Sequence, residues 1–319
     1  MVNIVFDGNY LLHRSCRQPE LSMLETGTGL RVGGIFGFVR SVKDILNKYK
    51  GDRVFCVFDG GISKRRRELL PQYKGSKYRD ADDPFYEEMD IETEEYLDQF
   101  TVQREILQGL LDSLGIKVIR IQGFEADDLI FALSVSLDGV PFVVSDDKDF
   151  LQLVNYGVCV IRPIAGQTVT QSNFMDVFNM SLTEFVIRKE ILGDSSDKIP
   201  GVYGVGVKTV DKVVSAMNHS VFSNRDTALD HMKDVCKELI DDFRIKRLHD
   251  GFHVIHRNHE LMDFTCTDVN NLISVACSSL LPLPMVNPSM VRSSFTALGF
   301  NTILNGFDSW IKPFTHMNG

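Results

Sequence analysis

Three short apolar segments of the chain each end in aspartate. The segments are Asn3–Asp7, Phe55–Asp59 and Phe142–Asp147. Because the carboxyl ends of parallel strands share one edge of a sheet, where ligands bind, we expect Asp7, Asp59 and Asp147 to converge there. One such aspartate alone is more often a helix N-cap or a turn residue. Three of them at one edge favour a functional cluster.

Six further acids lie in short groups that extend this set. They are Glu125, Asp127, Asp128, Asp149, Asp194 and Asp197. Glu125 and Asp128 share one face of a predicted helix, although acids in a first helical turn also stabilise the helix by about 0.3–1 kcal/mol each. Asp149 can aim at the same point as Asp147 across a turn. Asp194 and Asp197 follow a predicted helix end, where the dipole disfavours negative charge, which indicates another use.

Nine carboxylates that meet cannot all stay ionised unaided, because like charges raise one another's pKa. Divalent cations would resolve this repulsion. A ligand set made of oxygen atoms, with no nearby His or Cys, suits Mg²⁺ or Mn²⁺ rather than Zn²⁺. Two such ions about 3.5–4 Å apart stabilise the attacking and the leaving oxygen of a phosphoryl displacement. The acids therefore predict magnesium-dependent phosphodiester hydrolysis.

A dense basic segment, Lys64–Arg79, also contains Tyr73 and Tyr78. Basic side chains hold phosphates, and aromatic rings can stack on unpaired bases. A solvated basic loop explains Lys64 equally well, but explains Lys74, between a tyrosine and a glycine, less well. The segment predicts a nucleic-acid contact close to the acids.

A glycine-bearing turn, Ile199–Thr209, separates two predicted helices. Gly204 and Gly206 let a ligand approach the backbone closely. The next helix offers its first amide groups to a phosphate, and Lys208 adds a positive charge. A lone GxG is weak evidence, but its position between an acidic helix end and an amphipathic helix favours binding of the DNA backbone.

The pattern of apolar residues predicts an α/β fold with a mainly parallel twisted sheet flanked by helices. Predicted strands are Val2–Phe6, Arg53–Phe58, Ile116–Ile121 and Pro141–Ser145. Predicted helices include Ala126–Leu137, a helix capped by Ser181 that runs to Leu192, and Val207–Met217. After about residue 180 the pattern turns helical, so we predict an α/β domain at 1–180 and a helical domain at 181–319.

The composition, with 44% hydrophobic and 24% charged residues, is that of a globular protein. The net charge of -9 argues against a simple DNA-coating protein. Six scattered cysteines without a CxxC pair predict buried, reduced thiols in a cytoplasmic protein. Neither a signal peptide nor a membrane span is expected.

Six motifs together identify a family resemblance. They are VFDGNYLLHR from Val5, VFDGG from Val57, RRELLPQYKG from Arg66, GFEADDL from Gly123, VSDDKDFLQLV from Val144 and LGDSSDKIPGVYGVGVKT from Leu192. The chain resembles the 5′-nuclease (flap endonuclease) family, which includes the 5′→3′ exonuclease domain of bacterial DNA polymerase I and stand-alone bacteriophage enzymes. The motifs cover most of residues 1–215 in the family's order. With no polymerase module, the chain looks most like a bacteriophage RNase H-type 5′→3′ exonuclease.

The resemblance implies roles for individual residues. It places these acids around a first metal ion: Asp7, Asp59, Glu125, Asp127 and Asp128. It places these around a second, with Glu125 and Asp127 between the two: Asp147, Asp149, Asp194 and Asp197. Lys74 matches a lysine at the base of a helical arch (about 63–100), near the scissile phosphate, and Arg66 matches an arginine of the same element. The segment 181–217 matches a helix-hairpin-helix that grips duplex DNA through Gly201, Gly204, Gly206 and Lys208.

Two positions depart from the family pattern. Lys77, assigned with Arg79 and Tyr73 to nucleic-acid binding, stands where many relatives have arginine. Asp146 is an extra acid beside Asp147, and we do not assign it as a metal ligand.

The expected function is that of a magnesium-dependent 5′-nuclease that hydrolyses phosphodiester bonds near the 5′ ends of RNA–DNA hybrids, duplex DNA and flaps, for RNA primer removal in replication. The expected cofactors are two Mg²⁺ ions, which Mn²⁺ can replace, and K⁺ at the helix-hairpin-helix. A monomer is expected, with a single-strand-binding protein or a sliding clamp as candidate partners.

Two alternatives remain open. A phosphatase with an aspartate nucleophile would usually carry a second acid two residues after the first, where this chain has Asn9. A non-catalytic DNA-junction binder would be expected to lack some of the nine acids.

Overall fold

Short runs of apolar and β-branched residues form the strands of the structure, a computed structural model that describes residues 1–75, 91–217 and 224–317. The strands are β1 (Val2–Asp7), β2 (Arg53–Val57), β3 (Lys117–Ile119), β4 (Val140–Val144), β5 (Cys159–Arg162), β6 (Gln167–Val169), β7 (Gly193–Asp194) and β8 (Ile199–Pro200).

Amphipathic segments between and after the strands form helices. The α helices are α1 (Gly8–Cys16), α2 (Pro19–Ser22), α3 (Gly33–Tyr49), α4 (Lys64–Leu69), α5 (Ile91–Ser113), α6 (Ala126–Ser136), α7 (Phe174–Phe178), α8 (Leu182–Leu192), α9 (Val207–Ala216), α10 (Arg225–Glu238), α11 (Phe243–Asp250), α12 (Phe252–Met262), α13 (Val269–Ser278), α14 (Pro288–Ala297), α15 (Asn301–Leu304) and α16 (Phe307–Trp310). Single 3₁₀ segments cover Lys148–Tyr156, Phe264–Cys266 and Lys312–Phe314.

The central sheet has the strand order β3-β2-β1-β4-β5-β6, with parallel pairing except between β5 and β6. Strand β1 lies in the middle, where Phe6 pairs with Cys56 on one side and Val144 on the other. This confirms the predicted mainly parallel α/β sheet. The short strand β5 and the edge strand β6 were not predicted. The register brings the carboxyl ends of β1, β2 and β4 to one edge.

The chain forms two compact units, each made of separate stretches. The sheet unit contains Met1–Gly61, Met89–Val169 and Asn270–Gly319, and the helical unit contains Ile62–Glu88 and Thr170–Val269. This division differs from the predicted boundary near residue 180, because the last helices return to the sheet unit. The predicted arch lies partly outside the described residues, since 76–90 are not described.

Each unit has its own apolar core. In the sheet unit, Phe295 and Phe314 from the C-terminal segment are buried in one cluster with Phe6 and Phe38. Apolar packing of this kind explains why residues distant in sequence join one unit, and the period of each segment alone does not reveal it. The main core of the helical unit contains Ile191, Val213, Met232 and Ile255.

All six cysteines lie within the described residues and are free thiols. Cys56 and Cys236 are buried as predicted, whereas Cys277 is exposed and the other three are half-buried. Among the helices in the described part of the chain, none combines the length and the apolar character that crossing a membrane would require.

Candidate active site

Asp7 is the last residue of β1 and the N-cap of α1, so the strand end places its carboxylate at the sheet edge. Its Oδ1 accepts a hydrogen bond from the Tyr10 amide at 3.0 Å, and its Oδ2 accepts one from the Ser145 hydroxyl at 2.9 Å. Only 6% of the residue is exposed. Burial chiefly raises the pKa of Asp7 to about 7; the Tyr10 amide opposes this shift, and the charges of Asp147 and Asp59 add to it.

Asp59 connects the end of β2 to the start of α6. Its Oδ1 accepts a hydrogen bond from the Ala126 amide at 2.8 Å, and its Oδ2 accepts one from the Asn9 side-chain amide. Asp59 thereby satisfies one of the free amide groups at the start of α6. Glu125, the N-cap residue of that helix, makes no side-chain capping bond and is buried.

The first turn of α6 carries the other two acids of this group. Asp128 is buried and Asp127 is half-buried. Burial of Glu125 and Asp128 exceeds what a solvated helix end requires, because charged side chains enter the interior only when they are compensated. The capping interpretation of these acids is therefore insufficient.

Asp147 follows β4 and is the N-cap of the 3₁₀ segment that contains Asp149. Its Oδ1 accepts a hydrogen bond from the Asp149 amide at 2.9 Å. The Asp147 amide donates to the hydroxyl of Ser145 at 3.1 Å, and the same hydroxyl donates to Asp7. Ser145 thus joins two of the predicted acids. The sequence analysis missed this fully buried serine, whose position between a strand and an acid pair is the available signal.

Within the sheet unit, Asp59 and Asp147 both lie close enough to Asp7 to add to the rise that burial causes in the pKa of its carboxyl group. In the part of the chain that the structure describes, the hydrogen-bond donors to the Asp7 carboxylate are one amide and one hydroxyl. An oxygen-only set of like charges fits a hard divalent cation. Among the described residues, no three His, Cys, Asp or Glu side chains lie together as a ready metal-ligand group.

The helical unit holds Asp194 and Asp197 on the β7–β8 hairpin. Asp194 Oδ1 accepts hydrogen bonds from the Ser196 amide at 2.8 Å and the Ser196 hydroxyl at 2.6 Å. Burial raises the pKa of Asp194, but Ser196 and Lys189 outweigh burial and hold that pKa below its usual range. Asp194 is therefore a preorganised, ionised carboxylate.

Lys74 contacts the same hairpin. Its amide donates to the Asp197 carbonyl at 3.1 Å, and its Nζ lies 3.9 Å from Asp197 Oδ2. The residue is 7% exposed and has a φ of 50°, which is uncommon for a residue with a side chain. Burial of an ammonium group beside a predicted metal ligand is the arrangement expected of a functional lysine rather than of a solvated loop.

Tyr73 differs from the prediction. We expected its ring to contact nucleic acid, but it is 3% exposed and packs with Leu70, Ile199 and Leu261. Its hydroxyl donates to Asp197 Oδ2 at 3.4 Å, and Lys74 Nζ lies 5.5 Å from the ring centroid. The ring is buried because it fills the apolar cluster below the hairpin, so it supports Lys74 and Asp197 instead of stacking on bases.

Arg66 is also buried, on the short helix α4. Its Nε donates to the Leu261 carbonyl at 2.8 Å, and its guanidinium lies 6.0 Å from the centroid of the Tyr73 ring. Arg66 and Lys74 thus both lie beside the ring of Tyr73. Lys77 and Arg79, predicted to bind nucleic acid, lie outside the described residues.

The glycines of the predicted hairpin motif have different tasks. A Cβ on Gly201 would clash with the Leu192 carbonyl oxygen, so this glycine allows two backbone segments to pack together. Gly204 has a φ of 73°, and a Cβ there would meet Arg247. Around Gly206 a Cβ would have open space, and the adjacent Lys208 is exposed on the first turn of α9.

An exposed patch of aromatic and basic side chains accompanies this turn. Arg247 lies over the ring of Tyr203, which is 84% exposed, and over that of Phe243, at 5.3 Å from each centroid. The sequence analysis missed Arg247 because it is about 40 residues away in a segment that matched no motif. A cation held by exposed rings is suited to contact a phosphate backbone.

A buried polar network secures the hairpin from behind. The buried Asn258 side-chain amide donates to the carbonyls of Glu190 at 2.8 Å and Pro200 at 3.0 Å. The Glu190 carboxylate is buried and accepts hydrogen bonds from Arg225 at 2.8 and 2.9 Å, and its Oε1 lies 2.9 Å from His259 Nδ1. Burial lowers the pKa of His259, but bonds with Cys266 and Glu190 outweigh burial and raise that pKa to about 10.

This network predicts a pH dependence of stability. The folded protein holds the His259 proton more firmly than the unfolded chain does. The contribution of this proton to the free energy of unfolding is therefore complete below about pH 6.5 and is lost as pH rises through about 10. We expect a loss of about 1.5 kcal/mol, the low end for a charged hydrogen bond because the ring is partly exposed. Urea unfolding between pH 7 and 10.5 measures it. A slope equal to that of His259→Gln would contradict the assignment.

Several known proteins are similar in sequence to this chain. Residues 2–180 match the family model described as 5′-3′ exonuclease, N-terminal resolvase-like domain. A 5′-3′ exonuclease of Buchnera aphidicola subsp. Schizaphis graminum is 28% identical over 210 residues, which are 65% of this chain and 67% of that protein. DNA polymerase I of Bacillus subtilis is 27% identical over 94% of this chain, which corresponds to 32% of the polymerase.

Solved structures show the same fold. The flap endonuclease of bacteriophage T5, solved as a pseudo-enzyme–product complex with DNA and metal ions, superposes with a TM-score of 0.62, 19% identity and 99% coverage of both chains. The T5 5′-exonuclease with bound zinc superposes with a TM-score of 0.59, 20% identity and 98% coverage of both chains. The family model spans more than half of the 319 residues, and the chain belongs to the 5′-3′ exonuclease family of nucleases.

Proposed function

We propose that this chain is a magnesium-dependent 5′-nuclease that hydrolyses phosphodiester bonds near the 5′ ends of flaps, duplex DNA and RNA–DNA hybrids. The observation that carries the proposal is the acid cluster at the carboxyl edge of the parallel sheet. There, burial and the charges of Asp59 and Asp147 raise the pKa of Asp7. In a chain of this family, such a cluster is best explained by a metal-dependent hydrolytic site.

The proposed ligands form two groups. We assign Asp7, Asp59, Glu125, Asp127 and Asp128 to a first Mg²⁺. We assign Asp147, Asp149, Asp194 and Asp197 to a second. When bound, the two ions would supply Lewis acidity and neutralise the charge that develops on the phosphate. The chain's own contribution is to hold Asp7 through Tyr10 and Ser145, and Asp194 through Ser196, in fixed orientations.

Lys74 and Arg66 are proposed to stabilise negative charge on the reacting phosphate. Lys74 is suited to this role because its backbone and its ammonium group are both fixed against Asp197. A preorganised cation of this kind needs no rearrangement during the reaction. Arg66 is buried and donates to a backbone carbonyl. Its positive charge would therefore act on the phosphate from a distance, beside the Tyr73 ring.

The exposed turn from Gly201 to Lys208 is proposed to bind duplex DNA, as a helix-hairpin-helix with K⁺. Support comes from the open space at Gly206, the exposed Lys208 and the adjacent Arg247 over Tyr203. The T5 flap endonuclease was solved with DNA, and shares the fold of this chain. We therefore extend DNA binding to this chain.

Lys208→Ala should weaken binding to a duplex with a 5′ flap, with little effect on the single-turnover rate at saturating protein. One lost phosphate contact should also reduce the slope of log K against log salt by about one unit. Fluorescence anisotropy across a salt series measures both quantities. Lys212→Ala is the matched control, because Lys212 lies on the same helix and its Nζ contacts Asp242 at 2.8 Å. Identical salt slopes for the two variants would mean that Lys208 makes no phosphate contact and that the hairpin has only a packing role.

The substrate range is tested by matched substrates. We propose RNA primer removal because relatives include both stand-alone exonucleases and DNA polymerase I. Two downstream strands of the same sequence are compared, one made entirely of DNA and one with RNA at its 5′ end. Each strand is hybridised to the same template. Cleavage of both at comparable single-turnover rates supports the proposal. If only the all-DNA strand is cleaved, the proposed role in primer removal is wrong. If neither strand is cleaved, the proposed nuclease activity is wrong.

A further inference from the structure

Asp146, the extra acid next to Asp147, is bound by several donors of the protein itself. Its Oδ2 accepts hydrogen bonds from the Tyr10 hydroxyl at 2.5 Å and from the Ile164 amide at 2.8 Å. Its Oδ1 accepts one from the Ala165 amide at 3.2 Å and lies 3.7 Å from Arg162 Nε. The three hydrogen bonds take up most of the roughly four acceptor sites of the carboxylate. The side chain therefore acts within the protein.

Tyr10 is the other end of this arrangement, and it touches two acids with two different groups. Its amide donates to Asp7 Oδ1, while its hydroxyl donates to Asp146 Oδ2. The two acids lie on neighbouring strands, β1 and β4, or immediately after them. Tyr10 thus fixes the first turn of α1 against the end of β4.

Asp146 extends the connection to the edge of the sheet. The amides of Ile164 and Ala165 belong to the turn between β5 and β6, so the carboxylate ties that turn to α1. Asp147 is the next residue along the backbone, and its amide is held by Ser145. Movement of Asp146 would therefore displace the backbone that carries Asp147.

We propose that Tyr10 and Asp146 are positioning residues that set the geometry of Asp7 and Asp147 for divalent-ion binding. This inference rests on the proposed function, because it assumes that Asp7 and Asp147 bind the ion. Neither residue touches the reacting phosphate in this account. The hydrogen bond between Tyr10 and Asp146 restrains Asp7 from the side of helix α1 and Asp147 from the side of strand β4.

The test measures Mn²⁺ affinity directly, by electron paramagnetic resonance of free Mn²⁺, with no nucleic acid present. The proteins are the wild type, Tyr10→Phe, Asp146→Asn and the double variant. Removing a group that orients metal ligands typically weakens metal binding by about 10–100-fold, and we expect at least tenfold for each single variant. Because both single variants act on the contact between the same two side chains, the double variant should bind no more weakly than the weaker single variant.

Tyr49→Phe is the matched control. It also removes a tyrosine hydroxyl in the sheet unit, one that lies 2.7 Å from the Thr168 hydroxyl on β6. If hydroxyl loss acted only through stability, both tyrosine variants would lower the urea midpoint and leave Mn²⁺ affinity equal to that of the wild type. Tyr10→Phe deletes a single oxygen atom, so it decides the matter even if Asp146→Asn fails to fold.

The outcomes separate the two proposals. Tight Mn²⁺ binding by the wild type and Tyr49→Phe, with weak binding by Tyr10→Phe, supports the positioning role. Wild-type affinity in Tyr10→Phe overturns that role and leaves the nuclease proposal intact. Failure of the wild type itself to bind Mn²⁺ overturns the metal assignment, and the positioning role with it.

Discussion

Asp147→Asn should lower the single-turnover cleavage rate at least about a hundredfold, while the affinity for DNA remains nearly unchanged. Even residues that only orient metal ligands typically cost about 10–100-fold, so a proposed ligand should cost more. The surfaces proposed to bind DNA, around Lys208 and Arg247, are not altered by this change. Quenched-flow cleavage and anisotropy measure the two quantities in the same magnesium buffer.

The control for this variant is Asp112→Asn, which removes an exposed carboxylate from helix α5 of the same unit. It should cleave at the wild-type rate. If Asp147 only caps the 3₁₀ segment that follows it, the substitution would cost about 1 kcal/mol of stability and leave turnover normal. Near-normal turnover of folded Asp147→Asn would therefore reject it as a metal ligand.

Lys74→Ala should lower the turnover number about 10²–10³-fold with a much smaller change in KM, because a preorganised charge stabilises the transition state more than the bound substrate. Its ammonium group lies 3.9 Å from Asp197 Oδ2, and its backbone is bonded to the same residue. Steady-state kinetics on a 5′-labelled flap separate the two parameters.

Lys64→Ala is the comparison for Lys74. Lys64 belongs to the same basic segment, but its side chain is 92% exposed and makes a single-turn contact with Glu68 at 3.8 Å. Its loss should change DNA affinity slightly and turnover hardly at all. Equal losses in the two variants would mean that the segment contributes charge without a defined geometry.

Much of the fold follows from local sequence. Strands β1, β2 and β4 were predictable because each is a short run of apolar residues that ends in aspartate, and helices between them require parallel pairing. Asp7, Asp59 and Asp147 could be nominated for the same reason, since a strand end fixes where the next side chain lies. The helix α8 could be predicted from its cap, because Ser181 accepts a hydrogen bond from the Glu184 amide at 3.1 Å.

Other features depend on contacts between distant residues and have no local signal. Ser145 acts by bonding to a residue 138 positions earlier, and Asn258 by bonding to a carbonyl 68 positions earlier. Tyr73 was predicted to contact nucleic acid because it lies in a basic segment, yet the apolar cluster around Ile199 buries its ring. Pairings of this kind are decided by tertiary packing, which the period of a single segment does not encode.

The central claim is that the acid cluster binds divalent ions that hydrolysis requires. The direct measurement is cleavage of a 5′-labelled flap by the wild type in Mg²⁺, after addition of EDTA, and after Mg²⁺ is restored in excess. The account predicts release of labelled product in Mg²⁺, none in EDTA, and full recovery on restoration. Cleavage that continues at the same rate in EDTA, or no cleavage in any condition by folded protein that binds the substrate, would contradict it.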